Sequence, residues 1–234
     1  MYIVLGFSRK DSRAIIGRYK SPDELRDIFV VDAVKRGVRR SSLLYVFQET
    51  TSQDPLAWYL VTFDLKTVSG KRSGKPRKPT VEYSVIKEYM LFRSCAHVDM
   101  TTYICPEHED VELLIKSLGV VEYKKPEYYV VVPLDSKARE YLKECFVEAF
   151  EKIYSKLLNM ISKVEKADKR ANKLREAVEK KLSALYEFQG VVVRHKEKFT
   201  SIGIDVEGFL SRVGEEAARL RKKVEEKWSR VITR

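Results

Sequence analysis

Residues 136–188 decide the fold, and they read SKAREYLKECFVEAFEKIYSKLLNMISKVEKADKRANKLREAVEKKLSALYEF. Neither Pro nor Gly interrupts this stretch, and its apolar residues recur at alternating steps of four and three, which is a heptad pattern. The pattern predicts one helix of roughly 80 Å, longer than a compact domain is wide. Asp135 or Ser136 is the expected N-cap. The repeating positions are Phe146, Phe150, Ile153, Leu157, Met160, Val164, Ala167, Ala171, Leu174 and Val178.

A second heptad pattern occupies about residues 206–232, after a linker that contains Gly190 and Gly203. At roughly 40 Å, this helix can cover only half of the first one. We therefore expect it to pair antiparallel with residues 164–185, where the apolar stripe of the first helix is narrow enough for a single seam. The predicted C-terminal unit is a long helical hairpin with helices at about 136–188 and 206–232.

The first half of the long helix has a wider, aromatic stripe that the second helix cannot reach. A stripe of that width faces a domain core or more than one partner. Its candidate interface residues are Phe146, Phe150 and Tyr154. Either the protein's own sheet or another molecule is expected to cover them.

The N-terminal residues 1–135 predict a separate α+β domain with a mostly antiparallel sheet and two helices. Ser21, Pro22 and Glu24 open the first helix as a capping box, and residues 107–118 form the second, which has an acidic first turn. Aromatic and β-branched runs predict the strands. These runs are residues 2–7, 14–19, 43–49, 57–68, 80–92, 120–123 and 128–132.

The chain is strongly basic, with 45 Lys and Arg against 34 Asp and Glu, a net charge of +11 and a pI near 9.4. This balance favours an acidic partner, nucleic acid before an anionic membrane. Side-chain amides are scarce and charged residues abundant, which is typical of a thermophile or of its virus or plasmid. No apolar run reaches the roughly 18 residues of a membrane span, so we expect a cytoplasmic protein, or a virion-associated one if the source is viral.

The densest basic segment is SGKRSGKPRKPT, residues 69–80, which contains no apolar residue to order it. A basic hairpin loop stiffened by Gly and Pro suits contact with a phosphate backbone; the alternative is a solvated loop. Two further basic clusters lie at the end of the first helix and on the long helix. The candidate nucleic-acid-binding residues are Lys71, Arg72, Lys75, Arg77, Lys78, Arg36, Arg39, Arg40, Lys169, Arg170 and Lys173.

Four Cys and His residues fall close together in RSCAHVDMTTYICPEHED. Two thiolates and two imidazoles suit tetrahedral, structural Zn²⁺, and the candidate ligands are Cys95, His97, Cys105 and His108. The single residue between Cys95 and His97 departs from the usual ligand spacing. The alternatives are a Cys95–Cys105 disulfide across a hairpin, or a reduced cysteine pair with two surface histidines.

One catalytic interpretation arises from LVTFDLK. Asp64 and Lys66 alternate onto one strand face, and Asp54 lies upstream. The arrangement resembles that of metal-dependent nucleases, in which two carboxylates hold Mg²⁺ and a lysine positions the attacking water. Solvent-facing alternation on a strand is the commoner origin of such a signature.

Three hypotheses follow for function. The first is a non-enzymatic nucleic-acid-associated protein that binds the phosphate backbone through the basic loop and the helical rod. The second is a structural or assembly protein, such as a virion or complex component, whose rod packs against its neighbours or against other copies of itself. The third is a Mg²⁺-dependent nuclease.

Overall fold

The structure is a computed structural model that describes residues 1–7, 14–21, 44–63, 81–99, 102–118, 126–168 and 172–228. It confirms an α+β fold in which an antiparallel sheet precedes a set of C-terminal helices. Within those ranges, no helix is both long enough and apolar enough to cross a lipid bilayer. The strands are β1 Tyr2–Phe7, β2 Ala14–Tyr19, β3 Tyr45–Glu49, β4 Trp58–Thr62, β5 Ala96–Asp99, β6 Thr102–Cys105 and β7 Glu127–Pro133.

These seven strands form one sheet in the order β2-β1-β3-β7-β4-β6-β5, and every neighbouring pair is antiparallel. The two outer strands lie close to each other: the backbone N–H of Ala14 on β2 donates a hydrogen bond to the carboxylate of Asp99 on β5. The sheet is therefore strongly coiled, as twisted antiparallel sheets of this width tend to be.

Alternate side chains of the strands fill two separate cores, one on each face of the sheet. Ile3, Phe47, Trp58 and Leu60 face the C-terminal helices. The opposite face packs on two helices that lie between strands in the sequence, α1 Val81–Phe92 and α2 His108–Leu118. A helix at residues 107–118 is thereby confirmed to within one residue.

Helix α1 corrects the strand predicted for residues 80–92. The segment is rich in aromatic and β-branched residues, which favoured a strand. Ile86 and Met90, four residues apart, are both buried against the sheet, and this is the spacing of one helix face. The burial of these two side chains in the folded protein therefore outweighs the local preference of the segment for a strand. The helix predicted after the N-cap Ser21 and the strand at residues 120–123 lie outside the described residues.

Helix α3 spans Ser136–Lys166, and Asp135 is its N-cap, with its carboxylate accepting the N–H of Ala138 at 2.7 Å. The coiled sheet curves around the first half of α3. Leu142 and Phe146 are fully buried, and Tyr141 stacks on Tyr45 of β3 with ring centroids 3.9 Å apart. The wide aromatic stripe thus packs against the protein's own sheet.

The predicted single helix of residues 136–188 is in fact two helices. Helix α3 ends at Lys166, where Ala167 adopts an extended conformation, and α4 spans Asn172–Arg194. The last turn of α3 is capped from a distance, because the ammonium of Lys227 donates to the carbonyl oxygens of Val164 and Glu165. Helix α4 also continues beyond residue 188 and ends at Arg194, within the predicted linker.

Two more helices complete the chain, α5 Lys196–Ser201 and α6 Val206–Trp228. Gly203, with φ of +84°, makes the turn between them in a conformation that favours glycine. Helix α6 begins where predicted and runs antiparallel to α4: Phe209 at its start contacts Phe188 near the end of α4, while Trp228 at its end shares a cleft with Arg175 near the start of α4.

Helix α6 also runs parallel to α3, a pairing that the hairpin prediction did not include. Phe209 stacks on Phe150 with centroids 4.3 Å apart, and further along Lys223 pairs with Glu165 at 2.7 Å. Because α3 ends at Lys166, α4 can run back alongside it. The apolar stripes of α3, α4 and α6 then enclose one shared core.

Candidate functional site

A cleft of about 580 Å³ opens at the end of the sheet where β4 begins and β6 ends. Three segments form its walls: residues 52–55 before β4, residues 106–108 at the start of α2, and residues 193–198 around the junction of α4 and α5. Its volume lies in the range of small-molecule sites in proteins. The cleft therefore collects polar side chains from parts of the chain up to 146 residues apart in the sequence, from Ser52 to Lys198.

Glu107 is the central acid of the cleft. Its carboxylate lies 2.8 Å from Nε2 of His195 and accepts a hydrogen bond from the guanidinium of Arg194 at 3.1 Å. The contact with His195, and then Arg194, holds the pKa of Glu107 below its ordinary value against the opposing effect of burial. Glu107 is thus a stable carboxylate hydrogen-bonded to an imidazole, a pair able to accept and return a proton.

Lys198 lies in the wall of the same cleft and is only 5% exposed. Its ammonium donates to the backbone carbonyl of Pro106 at 2.5 Å and lies 5.5 Å from the ring centroid of Trp58. Within the described part of the chain, no carboxylate forms an ion pair with it. Burial lowers the pKa of Lys198 to about 8, partly offset by the carboxylates of Glu107 and Asp54.

Asp110 is a second unusual group beside the cleft. It occupies the first turn of α2, is fully buried, and neither of its carboxyl oxygens has a hydrogen-bond partner within the described ranges. Burial, and then the negative charge of Glu107, raises the pKa of Asp110 to about 8. The carboxyl is accordingly protonated at neutral pH.

The predicted zinc ligands do not assemble around a metal position. Cys95, just before β5, and Cys105, at the end of β6, form a disulfide, which is one of the alternatives considered from the sequence. His97 packs edge-on to Tyr103, and burial lowers its pKa to about 4, whereas His108 lies at the cleft. No three His, Cys, Asp or Glu side chains gather as metal ligands among the residues that the structure describes. Zinc binding by the reduced chain stays a prediction.

Of the predicted nuclease residues, Asp64 and Lys66 lie outside the described residues. Asp54 is described, and its carboxylate closes the turn before β4 by accepting from the hydroxyl of Thr50 at 3.1 Å and the N–H of Leu56 at 2.9 Å. Asp54 also lines the cleft. Its position is explained by the turn that it stabilises.

Of the predicted nucleic-acid contacts, the structure describes only Lys173, which is exposed near the start of α4. The others lie outside the described residues: Arg36, Arg39, Arg40, Lys71, Arg72, Lys75, Arg77, Lys78, Lys169 and Arg170.

The predicted interface residues belong to this chain's own packing. Phe146 lies against Trp58 with centroids 4.7 Å apart, and Phe150 against Phe209, and both phenylalanines are buried. Tyr154 is half-buried beneath the guanidinium of Arg212, 4.6 Å from its ring centroid. The interpretation of Phe146 and Phe150 as an intermolecular interface is therefore corrected: the sheet and helix α6 cover them.

Sequence reasoning missed the cleft itself. The sequence assigns Glu107 and Asp110 to the acidic first turn of a helix, and His195 and Lys198 to the linker between the two predicted C-terminal helices. The available signal was weak: Lys198 precedes Phe199 in a short segment that also contains Ile202 and Ile204, and all three apolar side chains are buried. Nothing in that pattern distinguishes a buried lysine from an exposed one.

No protein-family model, curated protein or solved structure matches this chain at a significant level. The function is therefore argued from the residues themselves.

Proposed function

We propose that the protein is a nucleic-acid-binding protein that contacts the phosphate backbone mainly through the basic segment of residues 69–80. One observation supports this most strongly, the uneven distribution of charge. The described residues hold 25 Lys and Arg against 27 Asp and Glu, whereas the remaining residues hold 20 against 7. The whole positive excess of the chain thus belongs to the segments between and after the described elements.

The basic residues of the helices are largely matched by acids. Arg175 pairs with Glu179 at 2.8 Å within one helix, and Lys223 of α6 pairs with Glu165 of α3. Such ion pairs account for the charge of the helical rod without any external partner. The rod is therefore a secondary contact in this proposal, and residues 64–80, with six Lys and Arg against one Asp, are the primary one.

Two basic segments adjoin, in the sequence, strand ends that are neighbours in the sheet. Thr62 at the end of β4 pairs with Glu127 at the start of β7. In the sequence, residues 64–80 follow shortly after Thr62, and residues 119–125, which include Lys124 and Lys125, end shortly before Glu127. Positive charges that lie close together produce a stronger local electrostatic potential than the same charges dispersed over the surface.

A titration with duplex and single-stranded DNA and RNA over a range of salt concentrations tests the proposal. Each phosphate contact contributes about 0.9 to the slope of log K against log salt on duplex DNA. Replacing Lys71, Arg72, Lys75, Arg77 and Lys78 with Ala is expected to lower that slope by about 3 to 4 and to weaken binding similarly for unrelated sequences.

The matched control removes five other charges from exposed helix positions, by replacing Arg139, Lys163, Lys180, Arg221 and Lys222 with Ala. Both variants have the same net charge, so a difference between their slopes reports position and not total charge. Equal slopes, or binding that does not respond to salt, would contradict the proposal. Added Mg²⁺ in the same samples tests the nuclease hypothesis, which requires cleavage that Asp64→Ala abolishes.

A further inference from the structure

The cleft contains a buried amine that the proposed nucleic-acid contact does not use. Burying a lysine costs free energy that an ion pair usually offsets, and buried lysines are rare without one. Among the described residues, the ammonium of Lys198 contacts the neutral carbonyl oxygen of Pro106 and the face of Trp58, while Glu107 and Asp54 act on its charge without forming an ion pair. This environment accommodates a neutral amine nearly as well as an ammonium.

The location of this amine is also unusual. A lysine buried by chance in a core contacts no open space, whereas Lys198 forms part of the wall of a cleft large enough for a small molecule. The ionisable groups around the cleft come from all three of its walls: Asp54, Glu107, His108, Arg194, His195, Lys196 and Glu197. Among them, the Glu107–His195 pair offers both a proton acceptor and a proton donor.

We propose that Lys198 is a reactive amine that binds small aldehydes or ketones covalently, as an imine, within this cleft. The neutral nitrogen attacks the carbonyl carbon, a C–N bond forms, and the oxygen takes up a proton to give a carbinolamine. The hydroxyl then leaves as water after a second protonation, while the nitrogen loses its two protons in the course of the sequence. The Glu107–His195 pair transfers these protons, and the products are one imine and one water.

The acid–base properties of Lys198 support this chemistry. With a pKa of about 8, roughly half of the Lys198 side chains are neutral at pH 8, compared with less than about 1% for an ordinary lysine. Only the neutral amine attacks a carbonyl. We therefore expect Lys198 to react at pH 8 at least about tenfold faster than exposed lysines, after allowing for its lower basicity.

Reductive trapping tests the proposal on the unmodified protein. The chain is incubated at pH 8 with glyoxylate, or separately with propanal, in the presence of cyanoborohydride, and the labelled lysines are identified by peptide mass spectrometry. Lys196 is the matched internal control, because it lies two residues away, is exposed, and pairs with Glu207. We expect early labelling at Lys198 and little at Lys196, with a labelling rate at Lys198 that is half-maximal near pH 8.

Two variants complete the experiment. Lys198→Arg keeps the positive charge but removes the primary amine, and is expected to lose the early label, while Lys196→Arg keeps it. Labelling spread over surface lysines, with Lys198 no faster than Lys196, overturns the proposal even if neither variant folds. The result is independent of nucleic-acid binding, because the assay contains no nucleic acid and its readout is the rate of labelling at Lys198.

Discussion

Replacing Asp110 with Asn is expected to change the pH dependence of stability. In the unfolded chain an aspartate ionises near its ordinary pKa of 3.8, whereas the buried carboxyl of the folded protein holds its proton up to about pH 8. Folding therefore binds a proton throughout this window. The contribution of Asp110 to stability is fully present below about pH 4 and is lost progressively as the pH rises to about 8. Asn has nearly the same shape and does not titrate.

The structure sets the size of this effect. A pKa difference between 3.8 and about 8 corresponds to roughly 5 kcal/mol at pH 8 by linkage, and to roughly 1 to 2 kcal/mol at pH 5. Relaxation and water entry around an ionised Asp110 reduce the difference between the two pH values to about 2 to 3 kcal/mol. We therefore expect the free energy of unfolding of Asp110→Asn to rise relative to that of the parent by about 2 to 3 kcal/mol between pH 5 and pH 8. Above pH 8 the difference between the two proteins is expected to stay constant.

Urea unfolding of both proteins at a series of pH values from 4 to 9 measures the difference directly. Contributions from ionisable groups distant from position 110 cancel between parent and variant, whereas those of Glu107 and Arg93, which interact with Asp110, do not cancel fully. Glu109→Gln is the matched control, because Glu109 is an exposed acid in the same helical turn and the substitution removes one carboxyl there too. A difference curve for Asp110→Asn that is no steeper than the one for Glu109→Gln would refute the assignment of a buried, protonated carboxyl.

Three further predictions concern the core, the disulfide and the cleft. Phe150→Ala removes a buried ring that stacks on Phe209, so we expect the free energy of unfolding in urea to fall by about 3 to 5 kcal/mol. Light scattering is expected to show no change of oligomeric state. Dissociation of an oligomer would instead support the interpretation of Phe150 as an interface residue. Reducing the Cys95–Cys105 disulfide, which links residues 10 apart in sequence, is expected to cost roughly 2 to 3 kcal/mol, and a zinc assay on the reduced protein tests metal binding in the same sample. Lys198→Met is expected to stabilise the protein by about 2 kcal/mol at pH 7, where the buried ammonium of the parent is charged. This gain in stability is expected to shrink between pH 8 and pH 10.5, because the parent amine loses its proton first in the folded and then in the unfolded state. A gain that persists at pH 10.5 would argue against a lowered pKa of Lys198.

Elements with strong local signals were predicted well from the sequence. The Asp135 cap, the heptad positions of α3 and the start of α6 all depend on interactions within a few residues, which the sequence displays directly. The strands β1 and β2 were predicted with their observed bounds for the same reason. Helix α1 was not predicted, because the burial of Ile86 and Met90 against the sheet stabilises a helix more than the strand propensity of their neighbours stabilises a strand.

The candidate site was accessible to sequence reasoning only in part. The acids of residues 107–110 were recognised, but their chemistry was not, since a helix dipole explains any acid in a first turn. The exposed fraction of Asp110 and Lys198 depends on which segments pack over them, and those segments lie far away in the chain. A pKa that is shifted by burial is thus a tertiary property.

The sequence by itself determined the α+β class, the helical character of residues 136–166 and 206–228, and the concentration of positive charge in residues 64–80. These follow from periodicity, capping and composition, which act over one or two turns of chain. Only the tertiary structure decided that the long heptad run breaks after Lys166. An unbroken helix keeps its local hydrogen bonds, but folding back buries three apolar stripes in one core, and Lys227, some sixty residues later, supplies the donor that the broken end requires.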